Sequence, residues 1–210
     1  MTSLWTAMRI TVISPESDDP REMRAMEGMF TLGLERYHVR KPAWSLPQLE
    51  SWILGLPALW RPRLVLHEHH GLVGKLGLGG RHEKDRPSHG ETAGVSRSCH
   101  DLPSLSHCIG RYGQVLFGPI FPSLSKPGYG PAGGFPWEEL KTVLSRADGR
   151  TGSRVLALGG ITAGRLNRCF ELGFDGAAVI GAVWSRPDPI EAYVELRNHA
   201  ETLWGARHAA

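Results

Sequence analysis

The feature that most constrains this chain is an alternation. Short runs of β-branched and apolar residues trade places with longer runs whose apolar residues fall at helical spacing, about eight times in 210 residues. A helix cannot keep period two and a strand cannot keep period 3.6, so each run declares its own element. Repeated strand–helix units imply a parallel sheet with right-handed crossovers. Eight of them predict a single closed (β/α)8 barrel, with an open doubly wound sheet as the alternative fold.

The reading along the chain is specific. MRITVIS (8–14) reads as a strand and 20–34 as a helix, with Pro20 suited to its start. ERYHVRKP (35–42) returns to strand chemistry. Residues 45–56 read as a helix capped by Ser45, and RLVLHEH (63–69) as a strand. GLVGKLGLGG (71–80) fits a short helix and a short strand. AGVSRSC (93–99), GQVLFGPI (113–120) and RVLALGG (154–160) are strands, and DLPSLSHCIG (101–110) is a short helix. Residues 135–147 form a further helix. Thr162 caps a helix closed by Gly173, DGAAVIGAVW (175–184) is the last strand and its turn, and 187–204 is the last helix. RHEKDRPSHGET (81–92) is the most polar stretch and reads as a surface loop. No linker or low-complexity tract divides 8–210, so that span reads as one barrel domain. Residues 1–7 read as a disordered N-terminal extension without signal-peptide character, and Met8 is an alternative start.

Composition narrows the function classes. A net charge of +3, from 24 basic and 21 acidic residues without a basic stripe, argues against nucleic-acid and membrane-surface binding. Cys99, Cys108 and Cys169 lack CxxC spacing and read as reduced thiols in a cytoplasmic protein. The seven tryptophans read as packing and surface anchors.

In a barrel the chemistry sits on the loops after the strands' C-terminal ends. LGGIT (158–162) and VIGAV (179–183) each place a glycine turn after a late apolar strand. Backbone N–H groups there suit a phosphate, and glycine lets it approach closely; plain tight turns are the alternative. This marks Gly159, Gly160, Ile180 and Gly181. The stiff GPIFPSLSKPGYG loop adds Ser123, Ser125 and Lys126 as further anion contacts, against a merely solvated loop. Earlier strand ends carry His38, Arg40 and Lys41; His67, Glu68, His69 and His70; His82 and Glu83; and Ser96, Ser98 and His100. His67 and His69 would share one face of an extended segment, with His82 as a third metal ligand, yet the spacing matches no zinc signature. The plainer expectation is one imidazole on substrate and the others exposed. His100 before Asp101 is a candidate proton-transfer group, or else a polar helix cap.

Taken together, FGPIFPSLSKPGYG, LALGGIT and GAAVIGAVW resemble the thiamine phosphate synthase family, which includes the TenI-like thiazole tautomerases. The resemblance runs from MRITVIS to the final helix. YHVRK is similar to the family's Q-x-R-x-K motif, GGRH to D-G-x-H, and SCHDL to S-x-H-S/T-L. The resemblance implies a (β/α)8 barrel. It implies either a synthase, joining a pyrimidine diphosphate to a thiazole phosphate with Mg²⁺ and release of pyrophosphate, or a metal-free tautomerase. The latter aromatises a thiazole carboxylate phosphate by moving a proton.

By that resemblance Gly160, Ile180 and Gly181 hold the thiazole phosphate through backbone, and Ser123, Ser125 and Lys126 contact a diphosphate. Arg40 matches the motif arginine and His100 the tautomerase acid/base. The chain departs from the pattern at His38 (glutamine), at Pro42 (lysine, with Lys41 one place earlier) and at Gly79 (aspartate). Glu68 and Asp85 are the replacement metal ligands on offer. These departures favour the tautomerase over the synthase, with a catalytically silent thiazole-phosphate binder or another sugar-phosphate barrel as further alternatives. A homodimer is also expected.

Overall fold

The computed structural model describes residues 9–84, 95–123, 128, 130, 131, 133, 135–147 and 151–205. Eight parallel strands close into a barrel in sequence order. They are β1 Ile10–Ile13, β2 Tyr37–Val39, β3 Leu64–Leu66, β4 Gly80–Glu83, β5 Val95–Cys99, β6 Gln114–Phe117, β7 Arg154–Leu158 and β8 Gly176–Val179. Closure is the pairing of β1 with β8, Val12 opposite Val179. Outside lie α1 Glu22–Thr31, α2 Leu46–Leu54, α3 Leu72–Leu76, α4 Leu102–Cys108, α5 Trp137–Ser145, α6 Leu166–Leu172, α7 Gly181–Trp184 and α8 Pro189–Gly205. The barrel expectation holds and the open-sheet alternative does not.

Strand alternation builds two cores. Outward residues such as Val12, Tyr37, Leu64, Val115 and Val155 join the helices' apolar faces in the main cluster. Inside the barrel, Ile13, Leu116, Leu156 and Ala178 form a small apolar cluster. The other side of the interior is polar and buried: Thr11, His38, His82, Ser96 and Gln114 are each at most 4% exposed. Gln114 donates across the barrel to Thr11 Oγ1 at 3.3 Å.

Local chemistry sets most boundaries. Ser45 caps α2 within a capping box completed by Gln48, Asp101 accepts from Ser104 N at 2.7 Å to cap α4, and Gly173 ends α6 at φ 101°. Four expectations need correction. Thr162 gives no side-chain cap; it precedes a 3₁₀ turn, Ala163–Arg165, and α6 starts only at Leu166. The first helix starts at Glu22 rather than Pro20, because the Asp19 carboxylate holds the Arg21 backbone and guanidinium in a tight turn. The polar stretch from residue 81 begins inside β4, where His82 and Glu83 are buried. The turn after β8 is helical, as α7. Residues 1–8 and 85–94 lie outside the described residues. The indoles of Trp184 and Trp204 donate to Ile13 O and Phe174 O, anchoring packing as expected. No helix among the described residues is long and apolar enough to cross a membrane.

Candidate active site

A cavity of about 350 Å³ opens where the strands end. One wall is backbone. Gly159 and Gly160 follow β7 with φ of 92° and 63°, a left-handed region that favours glycine. A Cβ on Gly159 would stand 2.8 Å from Pro119 Cα, and one on Gly160 would overlap the Pro122 carbonyl. The turn is pinned by Ile120 N to Leu158 O at 2.9 Å and by Arg165 Nη1 to Gly160 O at 2.6 Å. Beside it Ile180 and Gly181 open α7, whose first N–H groups have no partner within their helix. Two glycine turns side by side, with backbone donors, form a surface suited to a phosphate.

The opposite wall carries side chains. His67, His82, Ser98, His100, Arg40 and Ser123 line it, as do Glu16 and Lys84, which the sequence reading had not marked. Lys84 and Glu16 carry no motif signal; they are found only once the strand ends are set in a ring. His100 follows β5, and its Nδ1 lies 2.6 Å from the Gly118 carbonyl. A carbonyl can only accept, so Nδ1 carries a proton, and in the neutral ring the lone pair is on Nε2. Arg40 pairs with Glu16, and its backbone N–H donates to Ser14 Oγ at 2.8 Å.

Beneath the side-chain wall sit three imidazoles. His38 Nδ1 is 3.1 Å from His67 Nε2, and the rings of His67 and His82 stack with centroids 4.1 Å apart. His82 reaches Ser96 Oγ through Nδ1 and Ser98 Oγ through Nε2, both at 2.8 Å. Burial pushes the His38 imidazole down to about 3 and holds His67 and His82 well below the usual histidine range. All three are therefore neutral at pH 7.

This has a consequence for acid stability. The unfolded chain takes up protons near pH 6.5 that the folded state refuses, so stability is full above that pH. It falls as pH drops toward 3, where His38 itself titrates. Each such histidine adds about 1.4 kcal/mol per pH unit to the slope. Urea midpoints measured between pH 7 and pH 4.5 should fall steeply. His38→Gln should flatten the fall by roughly a third, one proton in three. A flat profile in the parent protein would show that the trio is not buried.

Several expected site residues fall elsewhere. Lys41 is 1% exposed and points away from the cavity; its Nζ pairs with Glu22 at 2.6 Å and donates to Ser17 O at 3.1 Å. His38 is wholly buried below the cavity. Glu68 is engaged by Lys84 Nζ at 2.8 Å and by Lys41 N at 3.2 Å. His69 does not share a face with His67: β3 has ended, His69 stands at φ 52°, and its ring meets the Trp44 carbonyl at 2.9 Å. His67 is buried yet lines the cavity, and the imidazoles beside it are His38 and His82 rather than His69. Ser125, Lys126 and Asp85 lie outside the described residues.

Comparison with known proteins gives a consistent result. A family model described as thiamine monophosphate synthase matches residues 78–183, half of the chain, running from β4 to α7 and including His100 and both glycine turns. The thiamine-phosphate synthase of Halorhodospira halophila is 36% identical over 109 residues, 51% of this chain and 49% of that protein. The chain thus matches about half the length of that curated relative. The thiamine-phosphate synthase of Thioalkalivibrio sulfidiphilus is 28% identical over 185 residues, 81% of this chain and 84% of that protein. A thiamine phosphate pyrophosphorylase structure from Bacteroides thetaiotaomicron superposes with TM-score 0.72 at 25% identity, covering 96% of this chain and 100% of that one. One from Pyrococcus furiosus gives TM-score 0.75 at 18% identity, covering 94% and 98%, and bears on the fold alone. The matched region holds the turns and the histidine that frame the cavity, and the chain belongs to the thiamine monophosphate synthase family, TMP-TENI.

Proposed function

We propose that this barrel is a thiamine-biosynthesis enzyme acting on a thiazole phosphate, and that it aromatises the ring by proton transfer. The observation that carries the reading is the placement of His100. Its Nδ1–H is committed to the Gly118 carbonyl at 2.6 Å, so the basic Nε2 shares the cavity with the glycine turns. In this mechanism Gly160, Ile180 and Gly181 hold the phosphate through backbone N–H groups, with Gly159 setting the turn. Arg40 meets the ring carboxylate in exchange for Glu16. His100 Nε2 removes a proton from one ring position and the resulting imidazolium returns a proton at another. No atom is gained or lost, and a single general acid/base suffices. Ser98, Ser123 and His67 complete the wall around the substrate.

A second reading, transfer of a pyrimidine from its diphosphate to the thiazole, is favoured by the names of the relatives, which are thiamine-phosphate synthases. Family synthases use Mg²⁺, a hard cation that takes oxygen ligands. Among the described residues the cavity offers it poor donors. Glu16 is held by Arg40, Glu68 is held by Lys84 and the Lys41 backbone, and the one convergent donor set is three imidazoles. These residues do not fit Mg²⁺. In this reading Arg40, Lys84 and Lys126 would face the departing diphosphate.

The test uses two assays on tag-free protein. One follows aromatisation of the thiazole carboxylate phosphate by proton NMR in EDTA. The other follows pyrophosphate release from pyrimidine diphosphate and thiazole phosphate with Mg²⁺. Turnover in the first supports the proposal. Turnover only in the second replaces it with the synthase, and thiazole-phosphate binding without turnover in either replaces it with a non-catalytic binder.

A further inference from the structure

We infer that His38, His67 and His82 form a binding site for a divalent cation of the Zn²⁺ class, with its free coordination position facing the cavity. The three imidazoles come from three consecutive strand ends, β2, β3 and β4, and each offers a nitrogen within 4.8 Å of the other two. The spacing is close to what such a cation needs. Bonds of 2.0–2.1 Å in a tetrahedron set ligand nitrogens about 3.3 Å apart, and His38 Nδ1 and His67 Nε2 already stand at 3.1 Å.

The surroundings orient the ligands. Ser96 Oγ lies 3.5 Å from the Arg81 carbonyl as donor and 2.8 Å from His82 Nδ1. In the tautomer that donates from Nδ1 to this hydroxyl, the His82 lone pair sits on Nε2. That nitrogen lies on the cavity side, against Ser98. An outer hydrogen bond that fixes the tautomer is the usual partner of a metal-ligating histidine. The buried Nε2 of His38 makes no hydrogen bond of proper geometry, although Gln114 is a polar neighbour of the ring. The trio thus holds more nitrogen than its polar surroundings satisfy.

Binding asks for two local changes: the proton between His38 Nδ1 and His67 Nε2 moves to the outer nitrogen of its ring, and the His67–His82 stack, at 24° between planes, opens so that the lone pairs converge. Three neutral nitrogens leave the cation's double charge intact, in a cavity already lined by Arg40 and Lys84. The fourth ligand is therefore an anionic oxygen, hydroxide or a phosphate. Nitrogen ligands select Zn²⁺, Co²⁺ or Ni²⁺ over Mg²⁺.

The readout is independent of which reaction the cavity performs. Tag-free protein, stripped with chelator and dialysed, is titrated with Co²⁺ and followed by visible absorption, with Zn²⁺ as competitor. The expected result is one equivalent bound, with intense four-coordinate bands between about 500 and 650 nm, displaced by Zn²⁺ and unaffected by millimolar Mg²⁺. His38→Gln, His67→Gln and His82→Gln should each weaken binding by about 100-fold or more, and Ser96→Ala by about 10–100-fold through loss of the tautomer lock. The exposed-site control His107→Gln/His199→Gln should change nothing, and circular dichroism checks that each variant is folded. No stoichiometric binding by the parent, octahedral pale bands, or binding that survives His38→Gln and His82→Gln together overturns the site.

Discussion

Replacing His100 with glutamine is expected to lower the rate constant of thiazole aromatisation by about 10²–10⁴-fold while changing KM little. Glutamine keeps a donor of similar reach for the Gly118 carbonyl, which accepts from His100 Nδ1 at 2.6 Å. What it removes is a ring nitrogen that can take and return a proton. The phosphate contacts lie on the backbone of the β7 and β8 turns, so substrate binding should survive and the loss should appear in kcat. Added imidazole should recover part of the activity in His100→Ala, where the vacated space admits it. An unchanged rate in His100→Gln would end the proton-transfer role, whatever else the cavity does.

Lys41→Met is expected to cost about 3–5 kcal/mol of unfolding free energy, because it leaves a buried carboxylate without its cation. The Lys41 and Glu22 side chains are 0% and 4% exposed, 2.6 Å apart, and the Tyr37 hydroxyl donates to the same carboxylate at 2.8 Å. Burial raises the Glu22 carboxyl above its usual range, and neither the ammonium nor the tyrosine fully offsets this. The pair is thus a strained arrangement that punishes loss of one member more than loss of both. Lys41→Met/Glu22→Leu should recover most of the loss. The single variant should also show a pH signature. A raised folded-state pKa gives stability that is present at low pH and lost as pH rises through it. The gap to the parent protein, compared at equal pH, should therefore narrow as pH falls toward 4.5. Urea denaturation followed by circular dichroism measures both effects. A loss below 1 kcal/mol, or a fall in substrate affinity at unchanged stability, would return Lys41 to the cavity where its motif neighbours had suggested it belonged.

That displacement shows how far a motif can be read. YHVRK was legible as a strand and its end, and Arg40 does line the cavity. Lys41 is one residue on and turns outward, to a glutamate on α1. β2 is only three residues long, and one step past a strand decides between barrel interior and helix layer. The late glycines read better, because Gly159 and Gly160 are required by their own backbone conformation and by neighbours in the next loop. His100 and Ser98 were legible for a similar reason: each sits at the end of a strand whose boundary local chemistry sets. Glu16 and Lys84 carried no sign, since what brings them in is the ring of strand ends.

The sequence by itself determined the elements, the eight-fold strand–helix order and the two glycine turns, because periodicity, caps and left-handed glycines are properties of neighbouring residues. Only the tertiary structure decided that His38, His67 and His82 meet. Residues separated by 29 and 15 positions have no local physics in common. They converge because parallel register and barrel closure place three adjacent strand ends around one interior, where burial keeps their rings neutral.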